Sequence, residues 1–387
     1  MNKWIKLKYV ATSFSTAQKQ SDVLENGEYK VYGASGLVGY LDTFGADTPY
    51  IGIVKDGAGV GRTNIYNAYT SLLGTMAYIV PRNPDNTNLH FLQYAISALN
   101  LGETAGDKAT IPHIYFSVYG NKYILNVPVD TQKKIATYLN QKCTQIDTLI
   151  QNVQTQIEKL KAYKQSLVTE VVTKGLDPTV PMKDSGLDWI GEIPDKWQIL
   201  KFKHIATVKS NLVDPAQYLD HPQVSPENIE KGSGRLLPCR TVKEVGVESS
   251  NHLFFSGQII YSKVRPILNK VVIAPFDGLC SADMYPIETV INKQYLVYLM
   301  LSNVFLTQVK LVTENRVKMP KINQDEISRI ILCCPPDREQ NDIVAVLDKK
   351  CSQIDRLIAI KLAKIEKLEQ YKRSLIYEYV TGKKEVS

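Results

Sequence analysis

Apolar residues recur at alternating spacings of four and three in two long stretches of the chain. The first stretch carries them at Ile146, Ile150, Val153, Ile157, Leu160, Leu167 and Val171. The second stretch carries them at Ile354, Ile358, Ile365, Leu368, Leu375 and Tyr379. Lysine stands at the skipped position in both, as Lys164 and Lys372, and the second stretch adds Lys361. This a/d pattern predicts long helices that each pack along another helix, although an ordinary amphipathic core helix would look similar.

The two stretches are copies of one another. Cys143–Thr173 (CTQIDTLIQNVQTQIEKLKAYKQSLVTEVVT) recurs 208 residues later as Cys351–Thr381 (CSQIDRLIAIKLAKIEKLEQYKRSLIYEYVT). This offset is far longer than a solenoid repeat and therefore indicates a duplicated domain. Because each copy spans about four heptads, we expect the two helices to pair with each other, antiparallel, within one chain. A lysine in such a seam costs stability but can specify the register.

The first long helix has recognisable ends. Pro128 precedes it, Asp130 or Thr131 could cap its start, and Gly175 is a plausible stop after Thr173. A kink near Gln141–Thr144 is compatible with the pattern.

The remaining sequence forms two blocks with mostly β-type patterns. In the first block we predict a strand at Trp4–Ala11, short strands with tight turns over Glu28–Tyr40, a strand at Tyr50–Lys55, a helix at Leu89–Leu99 and extended pieces at Thr110–Phe116 and Tyr123–Val127. Trp197–Ala206 in the second block resembles Trp4–Ala11. The 208-residue offset also relates Met76 to Met284 and Pro112 to Pro320, so the duplication extends, more faintly, into the blocks.

These patterns predict an α+β protein with a pseudo-twofold internal repeat. Two globular mixed α/β domains are joined by two long helices that form an intramolecular antiparallel coiled coil. The predicted segments are a first domain at 1–127, a helical spacer at 128–175, a linker at 176–196, a second domain at 197–335 and a C-terminal helical spacer at 336–387.

Composition narrows the class of protein without naming a function. The 387 residues are 44% hydrophobic and 22% charged, which is typical of a globular rather than a disordered chain. The net charge of +7 suits a polyanionic partner but does not require one. Six cysteines without a CxxC pair argue against a zinc site and fit a reducing compartment. The N-terminus lacks the apolar core of a signal peptide and Tyr295–Leu301 is too short to span a bilayer, so a cytoplasmic protein is expected.

Motifs of catalysis are missing from the sequence. It contains no GxSxG, HExxH or [DN]PP[YFW] motif, and its five histidines lack metal-ligand spacing, so neither catalytic nor metal-binding residues are predicted. The glycine-dense loop Asp56–Thr63 (DGAGVGRT) resembles a phosphate loop but has Asp56 and Arg62 where the first glycine and the lysine are required. A nucleotide-dependent enzyme is therefore a rival interpretation that the motif supports poorly.

The same loop has a counterpart in the second block, and both suit nucleic acid better. Each follows a strand and carries cations, and arginine can bind the O6 and N7 atoms of guanine with two hydrogen bonds. The alternative is a plain surface turn with solvated charges. The predicted DNA contacts are Lys55, Arg62, Thr63, Lys108, His113, Lys263, Arg265, Asn269, Lys270, Arg316, Lys318 and Lys321.

Several segments together resemble the specificity (S) subunits of Type I restriction-modification systems. They are Ile111-Pro-His-Ile114 and Met319-Pro-Lys-Ile322, the helix entries Pro128…Gln132…Ile135 and Pro336…Gln340…Ile343, the two IDxLI…IEKL helices, Gly191-Glu-Ile-Pro194…Trp197, Tyr261–Pro266 and Tyr32–Gly36. No single motif is decisive, but their order and duplication cover nearly the whole chain. One departure is that the first block begins almost at Trp4, without a GEIP-like lead.

The resemblance implies a non-catalytic subunit that binds double-stranded DNA. Each block would be a target-recognition domain for one half of a bipartite site, and the paired helices would hold the two domains apart. Methyltransferase (M) subunits and restriction/motor (R) subunits would be the partners, and S-adenosylmethionine, ATP and Mg²⁺ would be used by those partners rather than by this chain.

The length of the helices agrees with this interpretation. A helix from Thr144 to Thr173 rises about 45 Å, whereas one turn of B-DNA, the usual spacing of paired major-groove contacts, is about 34–36 Å. Two alternatives stay open: the DNA-binding subunit of a related single-chain restriction-methylase, and a coiled-coil scaffold that binds only protein.

Overall fold

The computed structural model describes residues 3–57, 59–102, 112–316 and 318–386. It divides into two compact units, which are Met1–Gln154 with Leu362–Ser387, and Thr155–Lys361. Each unit contains one block of short strands and a portion of each of two long helices. The mixed α/β class predicted from the sequence is confirmed.

The first unit is built mainly from short strands. Its strands are β1 (Trp4–Lys6), β2 (Ala11–Ser15), β3 (Tyr29–Gly33), β4 (Gly36–Leu41), β5 (Tyr50–Val54), β6 (Thr63–Tyr66), β7 (Ser71–Leu72), β8 (Met76–Pro81) and β9 (Tyr123–Leu125). Its helical elements are α1 (Leu7–Val10), a 3-10 turn (Gln20–Asp22), α2 (Leu89–Ser97), α3 (Phe116–Tyr119) and the first part of the long helix α4 (Val129–Lys174).

The main sheet of the first unit is antiparallel, in the order β2-β8-β5-β6. A smaller sheet, β4-β3-β7, contains one parallel pair, β3 with β7, and β1 pairs with β9. Every residue of β5 is buried, as expected for a strand in the middle of a covered sheet. The core lies where this sheet meets α2 and α4.

The second unit contains more strands. They are β10 (Met182–Asp184), β11 (Glu192–Pro194), β12 (Gln198–Lys201), β13 (Ala206–Val208), β14 (Leu212–Val213), β15 (Pro222–Val224), β16 (Arg240–Thr241), β17 (Asn251–Phe254), β18 (Ile259–Ser262), β19 (Val271–Ile273), β20 (Gly278–Cys280), β21 (Met284–Thr289) and β22 (Ile331–Cys334). Its helices are α5 (Phe202–Ile205), α6 (Val242–Val245), α7 (Lys293–Leu301), α8 (Asn303–Thr313), α9 (Gln324–Ser328) and the first part of α10 (Asp337–Val380), with 3-10 turns at Pro215–Gln217, Pro226–Asn228 and Pro266–Leu268.

The second unit repeats the topology of the first. Its main sheet has the order β13-β21-β18-β19, antiparallel throughout, and β12 pairs with β22 as β1 pairs with β9. Met76 and Met284 begin the equivalent strands β8 and β21. The smaller sheet is enlarged to five strands, β14-β17-β20-β15-β16, and again contains one parallel pair. The faint duplication in the sequence therefore corresponds to a repeated fold.

The prediction of one strand at Trp4–Ala11 is wrong. A helical turn, α1, interrupts it between β1 and β2. Leu7 and Ala11 are both fully buried, and a spacing of four places two side chains on one face of a helical turn. The equivalent segment Trp197–Ala206 is interrupted in the same way by α5.

The predicted bounds of the first long helix are confirmed within two residues. Helix α4 is continuous through Gln141–Thr144. It ends at Gly175, which has φ +75° and donates its N–H to the carbonyl of Val171 at 3.0 Å. A Cβ at this position would be strained and would lie 3.0 Å from the Oε1 of Glu339 and 3.2 Å from Trp197, so glycine is favoured.

In the first unit α4 and α10 run antiparallel. The rings of Tyr138 and Tyr379 lie 4.6 Å apart, and the Nζ of Lys372 is 2.7 Å from the carboxylate of Asp147. A later residue of α4 therefore contacts an earlier residue of α10.

The same geometry recurs in the second unit. Lys361 donates to the side-chain oxygen of Gln156 at 2.6 Å, and Lys164 lies 2.7 Å from Asp355. Lys164 and Lys372 are the lysines predicted at seam positions, and each is matched by a carboxylate on the facing helix. The predicted seam positions are buried at Ile146, Val153, Ile157, Ile354 and Leu375, and half-buried at Ile150, Leu160, Leu167, Ile358, Ile365 and Leu368.

A buried glutamine ties each block to its long helix. The Oε1 of Gln132 accepts the backbone N–H of Asn88 at 2.9 Å, and the Oε1 of Gln340 accepts that of Asn292 at 2.9 Å. Each glutamine also donates to a carbonyl just ahead of its own helix. Asn88 and Asn292 cap α2 and α7, so both helices are positioned by the same contact.

Within the described ranges, no single helix has the length and apolar character needed to cross a bilayer. The bent pair α7 and α8 meets these criteria only when the two are taken together across a 58° bend. Residues 295–301 of α7 are buried in the core of the second unit.

We predict that Gln340→Ala lowers the free energy of unfolding by about 1–3 kcal/mol, because the buried N–H of Asn292 loses its acceptor. Urea denaturation followed by circular dichroism measures the change. Gln353→Ala is the matched control, since Gln353 is exposed on the same helix and its loss should change stability by less than about 0.5 kcal/mol. Equal effects of the two substitutions would contradict the structural role of Gln340.

Candidate nucleic-acid interface

In the first unit the glycine-dense loop after β5 is closed by backbone hydrogen bonds between Val54 and residues 61 and 62. Gly57, Gly59 and Gly61 all have positive φ, between +82° and +94°. A side chain at Gly59 would lie 2.3 Å from the guanidinium of Arg62. The glycines therefore allow a tight loop over which Arg62 folds.

Arg62 is the most accessible of the predicted contacts on this loop. Its guanidinium donates to the carbonyls of Gly59 at 3.3 Å and Ala34 at 3.4 Å, and its side chain is exposed. Thr63, by contrast, shares a 2.7 Å hydrogen bond with Ser97 of α2, so its hydroxyl serves the fold. Lys55 is half-buried.

His113 lies beside the same loop. Its Nδ1 contacts the carboxylate of Asp56, and its ring packs against that of Tyr115 at an angle of 57°, with centroids 4.0 Å apart. A DNA contact by His113 would therefore involve an imidazole already held by a carboxylate. Lys108 lies outside the described residues.

Three backbone hydrogen bonds hold the loop after β5 to its neighbours, and all three recur after β18. In the first unit the N–H groups of residues 55, 57 and 114 donate to the carbonyls of residues 75, 112 and 55, at 3.0 Å each. In the second unit those of residues 263, 265 and 322 donate to the carbonyls of residues 283, 320 and 263, at 3.0, 2.7 and 3.0 Å. Every member is displaced by 208 residues. We call each arrangement a loop pair: the loop after β5 with Pro112–Ile114, and the loop after β18 with Lys318–Ile322.

Arg265 occupies the position that glycine occupies in the first loop pair. Gly57 has φ +82° and Arg265 has φ +46°, both in the left-handed region. This conformation is unfavourable for a residue with a Cβ. Arg265 is exposed, so burial of its side chain does not compensate for the backbone strain. Backbone strain of this kind is typical of a functional position.

The other predicted cations of the second loop pair differ in their availability. The Nζ of Lys263 lies 5.2 Å from the ring centroid of Tyr285, and Lys318 is exposed. Lys321 forms a 2.8 Å ion pair with Asp283. Arg316 forms an ion pair with Glu326, and its hydrogen bond lowers the pKa of that carboxyl.

Asn269 and Lys270 fit the predicted role of DNA contacts less well than the cations above. The side chain of Asn269 is 2% exposed and donates to the carbonyl of Met300 at 2.8 Å, so a DNA contact is incompatible with its burial. Lys270 donates to the carbonyl of Pro226. Sequence reasoning placed both beside Arg265 but could not show that the chain turns inward there.

Sequence reasoning also missed the acidic partners of these cations, Asp56, Asp283 and Glu326, because only the fold brings them close. Among the described residues no group of three or more His, Cys, Asp or Glu side chains could hold a metal ion. The two loop pairs offer exposed cations, which suit phosphates and base edges.

Comparison with known proteins agrees with this chemistry. Residues 194–370 match the family model described as the Type I restriction modification DNA specificity domain. The specificity subunit of the Type I restriction enzyme EcoDI from Escherichia coli is 28% identical over 379 residues, covering 92% of this chain and 83% of that protein.

This chain is therefore similar to the specificity subunits of Type I restriction-modification systems. Another relative is the MjaVIII specificity subunit of Methanocaldococcus jannaschii, which is 26% identical over 81% of this chain and 74% of that protein. A solved chain, from work on complex assembly and conformational transition of the type I restriction-modification system, has 12% identity, 97% coverage of both chains and a TM-score of 0.67, and so shares the fold.

The specificity subunit is the DNA-recognition component of a restriction-modification system and not its catalytic component. The prediction of a non-catalytic chain is thus confirmed by the relatives. Which side chains contact DNA stays a prediction, for which Arg62, Lys263, Arg265 and Lys318 are the best placed.

We predict that Arg265→Gly weakens DNA binding by about 1–3 kcal/mol, the value of a good arginine contact to a base, while leaving the subunit as stable as before or up to about 1 kcal/mol more stable. The reason is that glycine relieves the left-handed strain but removes the guanidinium. Titration of duplex DNA in the presence of the methyltransferase partner and urea denaturation measure the two effects.

Lys243→Gln, which removes an exposed charge from α6 in the same unit, is the matched control and should change neither quantity appreciably. Unchanged DNA affinity in Arg265→Gly, or a loss no larger than in the control, would remove Arg265 from the interface.

Proposed function

We propose that this chain is a specificity subunit that recognises a bipartite DNA site, one half through each loop pair, and that it docks methyltransferase and motor-nuclease subunits. The observation that carries the proposal is the repetition of the loop pair. The same three backbone hydrogen bonds occur in both units, while the side chains mounted on them differ. To recognise two different half-sites, two loop pairs with the same backbone structure must carry different side chains.

The differences between the loop pairs are chemical. The first presents Arg62 above a glycine loop, with His113 and Asp56 beside it. The second presents Arg265, Lys263 and no glycine loop. Arginine and lysine are suited to guanine, and the side chains beside the arginine differ between the two loop pairs, so we propose that the two half-sites differ in sequence.

The long helices support a fixed separation between the half-sites. Helix α4 has 46 residues and α10 has 44. At a rise of about 1.5 Å per residue each is about 65–70 Å long, which exceeds one turn of B-DNA, about 34–36 Å. Stiff helices of this length would restrict the number of base pairs allowed between the half-sites.

Four exposed apolar side chains on the long helices support the docking of two identical partners. Leu149, Tyr163, Leu357 and Tyr371 are 48%, 57%, 48% and 56% exposed. All four occupy the heptad position immediately before a seam residue, and the 208-residue offset relates Leu149 to Leu357 and Tyr163 to Tyr371.

In an antiparallel pair these equivalent positions of the two helices face each other along one edge of the seam. Leu149 and Tyr371 therefore define a patch in the first unit, and Tyr163 and Leu357 define the equivalent patch in the second. Large exposed apolar side chains that recur with the repeat are typical of a protein interface. Two equal patches fit two copies of one methyltransferase subunit.

Catalysis would then depend on the partners. Under this proposal S-adenosylmethionine serves the methyltransferase subunits, and ATP and Mg²⁺ serve the motor-nuclease subunits. The contribution of this chain is to hold DNA and partners in register.

We predict that Leu149→Glu removes one docked methyltransferase subunit and that Leu149→Glu with Leu357→Glu removes both, because a carboxylate placed in an apolar interface must be desolvated without a partner. Size-exclusion chromatography with light scattering gives the stoichiometry. Val118→Glu alters a side chain that is 68% exposed elsewhere in the first unit and should leave two subunits bound. If the double variant still binds two, the patches are not the docking sites.

We predict that selection from random duplexes, with the methyltransferase present, yields two half-sites with a constant spacer. Deleting one heptad from both long helices shortens each by about 10 Å, or about three base pairs at 3.4 Å each, and should shorten or abolish the permitted spacer. Deleting a heptad from α4 alone mispairs the seams and should abolish binding. An unchanged spacer after the double deletion would refute the fixed separation, and failure to enrich any sequence would favour a scaffold that binds only protein.

A further inference from the structure

Two touching loops in the second unit concentrate unfavourable backbone conformations. Non-glycine residues with positive φ are few in the described ranges, and four of them lie on the loop after β18 and on its neighbour. They are Arg265 (φ +46°), Asn269 (φ +47°), Lys318 (φ +62°) and Met319 (φ +57°). Left-handed backbone at residues with side chains persists only where the surrounding structure enforces it, and it clusters at functional sites.

Backbone hydrogen bonds and burial enforce it here. The N–H of Arg265 donates to the carbonyl of Pro320 at 2.7 Å, so the tips of the two loops are joined. Between Arg265 and Asn269 the chain forms a 3-10 turn whose first residue, Pro266, is buried, and Asn269 is anchored to the carbonyl of Met300. The positions of the residues at both tips are thereby fixed.

Each tip carries an exposed apolar side chain. Ile267 is 52% exposed in the 3-10 turn and Met319 is 54% exposed beside Pro320. Both lie next to cations, Arg265 and Lys318, which are exposed as well. Apolar side chains held outward among arginine and lysine match the major groove, where phosphates and guanine attract the cations and the methyl group of thymine offers an apolar contact.

One of the two apolar positions has no side chain in the first unit. The residue equivalent to Ile267 is Gly59, whereas the residue equivalent to Met319 is Ile111, which lies outside the described residues. The side chain of Ile267 therefore distinguishes the second loop pair from the first, on a shared backbone frame.

We propose that Ile267 and Met319 contact the 5-methyl groups of thymine bases in the half-site bound by the second unit. This inference rests on the proposed recognition of a bipartite site and adds the chemical group that is recognised. The cations bring the duplex to the surface, and the two apolar side chains favour A·T pairs at the positions they reach, because replacing water around a methyl group with an apolar side chain is favourable.

The test replaces thymine with uracil, which lacks only the methyl group. The full chain with its methyltransferase partner is titrated with duplexes of the selected target, each carrying uracil at one thymine position. We expect one or two positions in the half-site of the second unit to lose about fourfold in affinity, the value of one buried methyl-sized group. Uracil in the other half-site should not depend on Ile267 or Met319.

Ile267→Ala and Met319→Ala are then titrated with the same duplexes. Each should bind the thymine duplex more weakly and should lose the discrimination between thymine and uracil at its own position. Val290→Ala is the control, since Val290 is 84% exposed in the same unit and follows β21 rather than belonging to either loop, and it should retain the full discrimination.

The outcomes separate this inference from the proposed function. Tight binding of the target without sensitivity to uracil, or the same sensitivity in wild type and both variants, overturns the thymine contact and leaves bipartite recognition intact. Absence of sequence-specific binding by the wild-type complex overturns the proposed function itself. If the variants instead lose the methyltransferase subunit, the two side chains belong to a protein interface and the inference is wrong.

Discussion

In each unit the packing of α4 against α10 is the contact on which the rest of that unit depends. Its apolar seam would tolerate several registers, since similar aliphatic side chains recur at every turn. The lysines remove that freedom. Lys164 and Lys372 sit in the seam, where a charge is costly, and each is matched by a carboxylate, Asp355 or Asp147, on the facing helix. In either unit, a slip by one turn would separate that unit's lysine from its carboxylate and leave a half-buried ammonium group against apolar neighbours.

The repeated motif Ile-Asp-x-Leu-Ile acquires a physical meaning from this packing. Its isoleucines fill the seam, its aspartate pairs with the lysine of the other helix, and its leucine remains exposed beside the seam. One five-residue motif thus serves helix pairing, register and, in our proposal, attachment of a partner. Because it occurs twice with the same offset as the strands, each unit contains its own matched portion of helix pair and its own recognition block.

The two blocks of strands share their buried contacts and differ in their exposed loop residues. The four-stranded sheets, the buried glutamines at the helix entries and the backbone hydrogen bonds of the loop pairs are the same in both units, because they determine how each core packs. The exposed loop residues do not contribute to the core and are free to differ. Gly57 and Arg265 illustrate this, since both have left-handed backbone. Glycine adopts this conformation without strain in the first unit. Arginine adopts it with strain in the second unit, where it adds a guanidinium group.

The sequence alone determined the duplication, the two long helices with their seam residues and the end of α4 at Gly175, since periodicity and internal repetition can be read from the chain itself. The class of protein was indicated by the resemblance of several segments to Type I specificity subunits. The sequence suggested the loops after β5 and β18 as the candidate site, because glycines and cations after a strand are visible in the sequence, and that site stays a prediction. It failed at Trp4–Ala11, where burial of Leu7 and Ala11 imposes a helical turn. It also failed at Asn269, which turns inward, and at the carboxylates that hold His113, Arg316 and Lys321. These features were decided by tertiary structure, because burial and ion pairing depend on residues distant in the chain whose approach no local pattern records.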